Sequence, residues 1–513
     1  MEENKISKGK EILAILLLTM VIGTGTIAWI VWSSKDNTKM NVTIGDLADV
    51  SFKTGNDINI SNLSPSFYYD DGALTEFSIR KKKGLTTELN TNIYLDITSI
   101  SDELKNDNFK YVLLSSSDGN TYNEVISSSF KDASVGKLSI VTDSPLTDGK
   151  TYYKFYIWID GNNENNETMQ GKSLKGTLNV DVSTPPVNAV TLVEGLDKGE
   201  TGDDGSGVYK VTHSAISASS SATGSEIPAV TDYRYYGPSP NNYICLDMED
   251  ASTCPDKHLY RIIGSIYEEK ENTNRLKVIK ATPLTDGTTS KFSWDYKVNN
   301  GSGSYDNIWA TITSGNYSNS LTSGSQLMKL LNSGAWWNGT SGSYYNNSTT
   351  ATTVNFTNYK LSDKAKSYIT TSRYYLGGYN NNTPLTNEMY GYERGTLRYN
   401  TDRPLYWEGM VGLMYPSDYG YAAGNTCVTE TKLFDYDGGC KIKDWLYISN
   451  TYQWLMSPGS GDSGRVFNVN SSGYVNNGHI SNNVYSVSPV FYLNSSASIS
   501  SGDGTSAAPY ILS

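Results

Sequence analysis

Three short apolar runs near the C-terminal end of the chain constrain its fold more than any other feature. They span residues 454–458, 464–469 and 487–493, and clusters of Gly, Ser and Asn separate them. The apolar residues of each run alternate or are briefly continuous, as they are in half-buried strands. Pro458 and Pro489 suit strand edges or bends, because proline has no N–H for a ladder hydrogen bond. The pattern predicts that these runs form the closing sheet of a C-terminal domain.

A long apolar segment lies at the other end of the chain. Residues 12–32 carry no charge and are almost all apolar, which predicts a transmembrane helix over residues 12–33. Three lysines precede it, so residues 1–11 are expected to be a cytoplasmic tail, with the rest of the chain extracellular. The alternative is a signal peptide cleaved near the small residues 26–28, which would give a secreted protein.

Residues 40–183 follow the segment with regularly spaced strand and turn patterns, which predict a β-sandwich stalk domain. The run 152–159 is the strongest strand pattern and is expected to be central. A turn at Asp160 follows it, and Asp160, Asn162, Glu164 and Glu167 are weighed as calcium ligands against a simple Asp-Gly turn. The predicted strands are residues 42–44, 74–80, 92–97, 111–115, 137–142, 152–159 and 176–182.

A composition change divides the chain after the sandwich. Pro185 and Pro186 mark a boundary, and residues 214–225 are small and polar. This composition is typical of flexible connections. We therefore expect a linker over residues 184–231, within which residues 208–211 add one strand to a neighbouring domain.

Residues 232–513 combine strand patterns with two short helical ones. Strands are predicted at 233–237, 242–245, 260–266 and 276–280, and helices at 325–331 and 362–369. Ser325 is the expected N-cap of the first helix. The overall prediction is a mainly β chain with an α+β C-terminal domain.

Several motifs in this region resemble a bacterial extracellular domain family of unassigned function. They are Asn241-Asn242-Tyr243-Ile244-Cys245, Leu259-Tyr260-Arg261-Ile262-Ile263-Gly264, Trp454-Leu455-Met456-Ser457-Pro458, Val469-Asn470-Ser471-Ser472-Gly473 and Ser488-Pro489-Val490-Phe491-Tyr492-Leu493. They stand in the order that the family shows, over about residues 233–513. The family's W-x-L-R-S-P and R-P-x-x-x-L motifs have Met456 and Ser488 here in place of arginine. The resemblance implies a fold similar to the C-type lectins and to the formylglycine-generating enzymes.

The four cysteines fall into two close pairs, Cys245 with Cys254 and Cys427 with Cys440. In an exported chain such local pairs predict two disulfides. Four free thiols in a reducing compartment are the alternative. Formylglycine-generating enzymes use a copper-binding cysteine pair, and since local pairing accounts for all four cysteines here, that activity is not carried over.

Composition limits the partners. The net charge is −12, which argues against nucleic acid, because phosphate binding needs a basic surface. The chain has 39 Tyr and only 11 Phe, and Tyr with Ser, Gly and Asn is typical of binding loops. Generic polar β-structure explains the same composition.

Aromatic residues among Asn, Gly and Ser are the candidate binding site, since aromatic faces stack on sugars and amides supply hydrogen bonds. Burial in the core is the alternative for them. The candidates are Trp336, Trp337, Tyr344, Tyr345, Tyr379, Tyr390, Tyr392 and Trp407.

Catalytic patterns are weak. His213, His258 and His479 show no Ser or Cys partner and are expected to be exposed loop residues. Asp435 and Asp437 suit a solvated turn, and Glu388, Glu393 and Glu408 form no glycosidase-like motif. We predict a protein that is not an enzyme and has no metal site and no cofactor.

The sequence thus predicts a membrane-anchored bacterial cell-surface protein that presents a non-catalytic, adhesin-like domain to a glycan or protein ligand. An envelope structural or assembly protein, or a fibre-like subunit, is the second hypothesis. A surface hydrolase is the third.

Overall fold

The structure is a computed structural model that describes residues 40–513, except for 45–46, 54, 62, 86–87, 163–165, 250, 296–307, 311, 314–315, 318–323, 349, 402 and 481–482. The predicted tail at 1–11 and the predicted membrane segment at 12–33 lie outside the described residues. No helix in the described part of the chain has the length and apolar character needed to cross a bilayer. The described residues are mainly β, as predicted. They form two compact units that divide between Pro185 and Pro186.

The first unit contains two sheets. One has the strand order β1-β2-β5-β10-β7-β8, with β4 also paired to β10, and the other has the order β3-β11-β6-β9. Short 3-10 helices span Tyr69–Asp71, Asp102–Leu104 and Asn166–Met169. The strands are β1 Met40–Ile44, β2 Ala48–Phe52, β3 Asp57–Ser61, β4 Pro65–Ser66, β5 Ala73–Lys81, β6 Asn90–Ile100, β7 Phe109–Ser116, β8 Asn123–Ser129, β9 Gly136–Pro145, β10 Lys150–Asp160 and β11 Ser173–Ser183.

Alternation along these strands builds one core between the two sheets. In β10, Phe155 and Ile157 point to the same face, because successive strand residues alternate sides. They share a buried cluster with Ile93 and Leu95 of β6 in the other sheet. Burying each such side chain contributes about 1.5–3 kcal/mol. Strand β10 lies between β5 and β7, which confirms its predicted central position.

The second unit is built around a nine-stranded sheet of order β12-β28-β29-β15-β16-β14-β13, with β17 paired to β16 and to β27. Three two-stranded sheets, β18-β19, β20-β21 and β22-β23, and one three-stranded sheet, β24-β25-β26, complete its β-structure among the described residues. The strands are β12 Val187–Asn188, β13 Gly207–His213, β14 Val230–Tyr236, β15 Tyr243–Cys245, β16 Leu259–Glu268, β17 Thr273–Lys280, β18 Ile312–Thr313, β19 Asn316–Tyr317, β20 Ser341–Tyr344, β21 Thr352–Asn355, β22 Ser372–Tyr375, β23 Tyr406–Gly409, β24 Gln453–Pro458, β25 Arg465–Val469, β26 Val475–His479, β27 Val490–Tyr492, β28 Ser498–Ser501 and β29 Tyr510–Leu512.

Short helices cover this unit. Ser325 Oγ accepts a hydrogen bond from the Met328 N–H at 3.1 Å, which confirms the predicted N-cap. Ser362 does the same for the Ala365 N–H at 3.0 Å. The α-helices are α1 Ala189–Glu194, α2 Gln326–Asn332, α3 Ala335–Asn338, α4 Asp363–Ser367, α5 Thr386–Glu393, α6 Pro416–Ala422 and α7 Asn425–Glu430, and 3-10 helices span Asp256–His258, Leu433–Asp435 and Lys441–Lys443.

The predicted linker needs correction. Residues 186–231 belong to the second unit. Strand β12 pairs with β28, and β13 pairs with β14 over its whole length. Within the polar stretch, Ile216 and Ile227 form a bridge and Ala222 is buried. Apolar residues that are isolated in the sequence therefore anchor a segment whose average composition resembles a linker.

The predicted closing sheet also needs correction. The first two apolar runs form β24 and β25, which pair with each other, and β25 pairs on its other side with β26. The third run forms β27, which pairs with β17 in the nine-stranded sheet. Val490 also exchanges two backbone hydrogen bonds with Gly412 on its other side. A continuous apolar run suits this position, because β27 has a protein segment on each of its two sides and neither side faces water.

Candidate functional site

The eight candidate aromatic residues separate into a buried and a half-buried group. Trp336, Tyr344, Tyr390 and Trp407 are buried. The other four candidates are Trp337, Tyr345, Tyr379 and Tyr392, and each is half-buried. Only the half-buried group has ring surface that a ligand could contact.

The buried rings have other partners. The Trp407 ring centroid lies 5.6 Å from that of Tyr374 and 6.1 Å from that of Trp309. The Tyr390 ring stacks on His213 at 3.6 Å, and the Arg394 guanidinium lies 3.5 Å from the same ring. These contacts correct the binding prediction for the buried group, which packs inside the second unit.

Two of the half-buried rings form a stacked pair. The ring centroids of Tyr379 and Tyr392 are 4.2 Å apart, and the rings are nearly parallel at 24°. Trp337 lies elsewhere in the sequence, beside Trp336 and under the Lys366 ammonium at 5.1 Å. The structure therefore places Tyr379 against Tyr392 and Trp337 against Trp336.

The remaining candidate, Tyr345, lies at the end of the β20-β21 hairpin. The side-chain amide of Gln326 holds its backbone on both sides: Nε2 donates to the Tyr345 carbonyl at 3.2 Å, and the Tyr345 N–H donates to Oε1 at 2.7 Å. Tyr344 faces the interior, where its hydroxyl donates to the Ser293 carbonyl at 2.6 Å. Because Tyr344 and Gln326 are fixed inside, the half-exposed Tyr345 is held in one place at the surface.

A cavity of about 450 Å³ opens beside Tyr345, and we call it the hairpin cavity. Its walls are helices α2 and α3 and the β20-β21 hairpin. Its size is in the range of small-molecule sites. It is lined by Gln326, Lys329, Leu330, Ser333, Gly334, Ala335, Asn338, Thr340, Ser341, Gly342, Ser343, Tyr344, Tyr345 and Val354. Hydroxyls, two amides, one ammonium group and two phenol rings thus surround a single space.

The three glutamates weighed for catalysis have separate structural partners. Glu388 accepts a hydrogen bond from the Leu385 N–H at the start of α5. Glu408 pairs with Arg373 at 2.8 Å. Glu393 is buried and accepts hydrogen bonds from the Ser417 N–H at 2.9 Å and the Ser417 hydroxyl at 2.5 Å. Each of the three carboxylates therefore has a structural partner that accounts for its position.

Burial has a clear electrostatic effect on Glu393. It raises the pKa of the carboxyl to about 7, although Arg394 and Ser417 act in the opposite direction. Loss of water disfavours the charged form, and the neighbouring donors recover only part of that cost. Glu393 is therefore a buried acid that titrates near neutral pH.

Two of the histidines are buried, so the expectation of exposed loop residues is wrong for them. His213 lies on β13, and its Nε2–H donates to an Asp232 carboxylate oxygen at 2.9 Å. His258 is fully buried, and its Nε2 lies 3.0 Å from a Glu249 oxygen. Burial is the main cause that lowers the pKa of both imidazoles. Only His479 is exposed, as predicted.

A buried ionic network, missed by the sequence reasoning, runs from β14 to α6. Arg234 donates to Asp232 at 2.7 Å and to Asp418 at 3.0 Å, and Lys277 donates to Asp418 at 2.5 Å. All four side chains are at most 1% exposed. Two cations balance two carboxylates. Burial alone would raise the pKa of Asp232 and Asp418, but the neighbouring cations outweigh it and hold both pKa values below their ordinary range. The neutral balance is what a stable buried network requires.

Asp247, Glu249 and His258 are the described residues whose ligand atoms converge enough to hold a metal ion, all within 4.8 Å of one another. Glu249 already pairs with Lys257 at 2.9 Å and with His258. At the other weighed cation site, Asp160 pairs with Lys110 at 2.6 Å and accepts from Asn162. Glu164 and the Glu167 side chain lie outside the described residues.

Both predicted disulfides are present. Cys245 is bonded to Cys254 and Cys427 to Cys440, with Cα–Cα distances of 5.9 and 5.8 Å. No family model matches the chain, and no curated protein sequence matches it significantly. What this protein does must therefore be inferred from its own cavities and surfaces.

Proposed function

We propose that the protein is a bacterial cell-surface protein whose second unit binds a glycan in the hairpin cavity. In this proposal residues 12–33 anchor the chain in the membrane, and both units are extracellular. The two disulfides support an oxidising compartment. The apolar character of residues 12–33 supports an anchor, and the motifs between residues 233 and 513 support a lectin-like fold.

One observation carries the proposal: the hairpin cavity combines a fixed, half-exposed tyrosine with a rim of hydroxyl and amide groups. A tyrosine ring gives a sugar an apolar face to stack on. Ser333, Ser341 and Asn338 offer hydrogen-bond donors and acceptors for sugar hydroxyls. A space of about 450 Å³ accommodates one or two sugar rings by the usual size of such sites.

A glycan array probed with the 513-residue chain tests the proposal. The array should show bound glycans, and Tyr345→Ala should weaken the best of them by about tenfold, equivalent to about 1.4 kcal/mol. The control is Tyr399→Ala, since Tyr399 is exposed and does not line the hairpin cavity. An array without bound glycans, or binding that survives Tyr345→Ala, would contradict the proposal.

The assembly hypothesis is favoured by one separate observation in the first unit. Phe67 and Tyr68 are 67% and 69% exposed, and they precede Tyr69, whose ring packs on Tyr156 at 5.2 Å. Adjacent exposed aromatic residues are typical of protein contact surfaces. Analytical ultracentrifugation should show oligomers that the double variant Phe67→Ser/Tyr68→Ser dissociates. Val135→Ser, at a position that is also 67% exposed, should leave them intact.

A further inference from the structure

A second cavity lies in the second unit, between the chain that follows α5 and the end of β24, and we call it the arginine cavity. It shares no lining residue with the hairpin cavity, so it is independent of the proposed glycan site. Its volume of about 20 Å³ holds about one oxygen-sized group. Its lining is Ile308, Trp309, Leu376, Arg398, Tyr399, Arg403, Pro404, Pro458 and Gly459.

The indole of Trp309 is a hydrogen-bond donor at this cavity that has no acceptor among the described residues. Trp309 is 2% exposed, and its Nε1 has no hydrogen-bond partner. By contrast, Nε1 of the neighbouring Trp294 donates to the Ile308 carbonyl at 3.3 Å. Nε1 of Trp454 also donates to a backbone carbonyl, at 2.8 Å. A buried donor without an acceptor is costly, so the Trp309 N–H points to a ligand atom that accepts it.

The Trp309 ring is fixed beside the cavity. Its centroid lies 5.2 Å from that of Trp294 and 6.1 Å from that of Trp407. Its backbone is held as well, because the Trp309 carbonyl accepts a hydrogen bond from the Ser325 N–H at 3.1 Å. The donor is therefore in place before any ligand arrives.

Two guanidinium groups give the lining a positive charge. Arg398 and Arg403 line the cavity and are half-buried, and no Asp or Glu of the described residues lines it. Nη1 of Arg398 donates to the Arg403 carbonyl at 2.7 Å, which ties the two residues together. A cavity lined by one sign of charge concentrates ions of the opposite sign. The lining therefore attracts anions, although the whole chain has a net charge of −12.

We propose that the arginine cavity binds the carboxylate group of an organic ligand. One carboxylate oxygen lies in the cavity and accepts a hydrogen bond from Nε1–H of Trp309. The other oxygen accepts from the Arg398 guanidinium, whose planar fork suits a planar carboxylate. Since the cavity has no room for more, the rest of the ligand lies outside it, beside Tyr399, which is 46% exposed.

Two other occupants fit the cavity less well. A water molecule can accept from a buried indole N–H, but it has no charge and does not account for two guanidinium groups in a lining without an acid. A phosphate group presents three acceptor oxygens around one atom. A planar carboxylate can enter so small a space edge-on, and a tetrahedral group cannot.

The experiment is a calorimetric titration of the 513-residue chain with acetate, acetamide and sulfate at constant ionic strength. Acetate should bind with millimolar affinity, and its neutral isostere acetamide and the tetrahedral sulfate at least about tenfold more weakly. Arg398→Gln should weaken acetate binding by at least about tenfold. Arg398→Lys should weaken it less, because lysine keeps the charge and loses the fork. The control Arg80→Gln removes the same charge from an exposed position outside the cavity and should change binding less than about twofold.

The indole N–H of Trp309 reports whether the carboxylate lies in the cavity. In the ¹⁵N-labelled chain, acetate should shift one indole signal, and Trp309→Phe should remove that signal and weaken binding by about fivefold. An unmoved Trp309 signal, equal affinity for acetamide, or acetate binding that survives Arg398→Gln would overturn the proposal. If Trp309→Phe fails to fold, the calorimetry of the arginine variants still decides it, because these side chains reach solvent.

Two larger acids identify the source of the carboxylate. Glucuronate carries it on a sugar, and N-acetylglycine carries it at the end of a peptide. Both should bind at least as tightly as acetate, and the tighter of the two gives the class of ligand. Failure of both to bind would overturn the proposal, because the rest of the ligand is expected to lie outside the cavity.

Discussion

The two units of this chain stabilise their interiors in different ways. In the first unit the shared core is aliphatic and aromatic, and pairs such as Lys53–Glu76 and Lys131–Asp107 lie at the surface. In the second unit the interior also contains the network of Asp232, Arg234, Lys277 and Asp418, together with two disulfides. Apolar burial needs only a pattern along each strand, whereas a buried ion pair needs a specific partner. The difference teaches that the second unit depends on a few individual contacts to a degree that the first does not.

Reduction of the disulfides should separate the two units most strongly. All four cysteines lie in the second unit, and each closed loop of 9 or 13 residues is worth about 2–3 kcal/mol. The second unit should therefore lose about 5 kcal/mol in a reducing agent, and the first unit nothing. Amide hydrogen exchange with mass spectrometry resolves the two. Lost protection in residues 40–185 would show that the units are not independent in stability.

Asp418→Asn should have the next largest effect, because it leaves Arg234 and Lys277 buried without full compensation. Removing one partner of a buried pair costs about 3–5 kcal/mol, and chemical denaturation of the second unit should show it. The double variant Asp418→Asn/Lys277→Met should lose less than the sum of the two single changes. The exposed Asp435→Asn should stay within about 0.5 kcal/mol of the wild type.

The matched change in the first unit is Leu95→Ala, at a fully buried position of its core. It should cost about 2–4 kcal/mol through lost burial and the cavity that remains. Leu95→Ala leaves no unpaired charge in the core. If the site relaxes only locally, the double variant Leu95→Ala/Ile93→Val should therefore lose nearly the sum of the two single stability losses. If Leu95→Ala lowered the free energy of unfolding by less than about 1 kcal/mol, the contrast between the two interiors would be removed.

Glu393 should give the second unit a pH-dependent stability near neutral pH. Its folded pKa of about 7 lies above its ordinary value of 4.5, so the folded state binds the proton more tightly. This contribution to stability is complete below pH 4.5 and is lost as the pH rises through 7, by up to about 3 kcal/mol. Glu393→Gln should make the profile of unfolding free energy less steep between pH 5 and about 8. Glu269, whose pKa burial also raises to about 7, should keep the remaining slope. A wild-type profile that is already flat would contradict the assignment.

The features that the sequence revealed are those set by near neighbours. The strong strand pattern of residues 152–159 predicted the central strand β10, and Ser325 predicted the start of the helix that it caps. Both disulfides followed from local spacing. Each of these signals spans fewer than about 15 residues, so no knowledge of the tertiary fold was needed.

The features that the sequence concealed depend on distant contacts. Arg234 and Asp418 are 184 residues apart, and no sequence pattern around either residue predicts contact with the other. Asp232 and Arg234 do share one face of a strand rich in buried tyrosines, and this was the available signal for buried charge. Tyr344 and Tyr345 look alike in the sequence, yet strand alternation turns one inward and leaves the other half-exposed. The sequence could therefore predict only the full set of eight aromatic candidates, without separating the buried ones from the half-buried ones.

The nine-stranded sheet has a consequence for the order of folding during synthesis. Its strand β12 at Val187–Asn188 pairs with β28 at Ser498–Ser501, and β15 pairs in parallel with β29 at Tyr510–Leu512. More than three hundred residues are made between β12 and its partner, and contacts so distant in sequence form slowly. The first unit can fold as soon as it emerges, while the second must wait with its edges open for its last strands. Ribosome-stalled or truncated chains that lack residues 498–512 should therefore present a folded first unit beside a protease-sensitive second one.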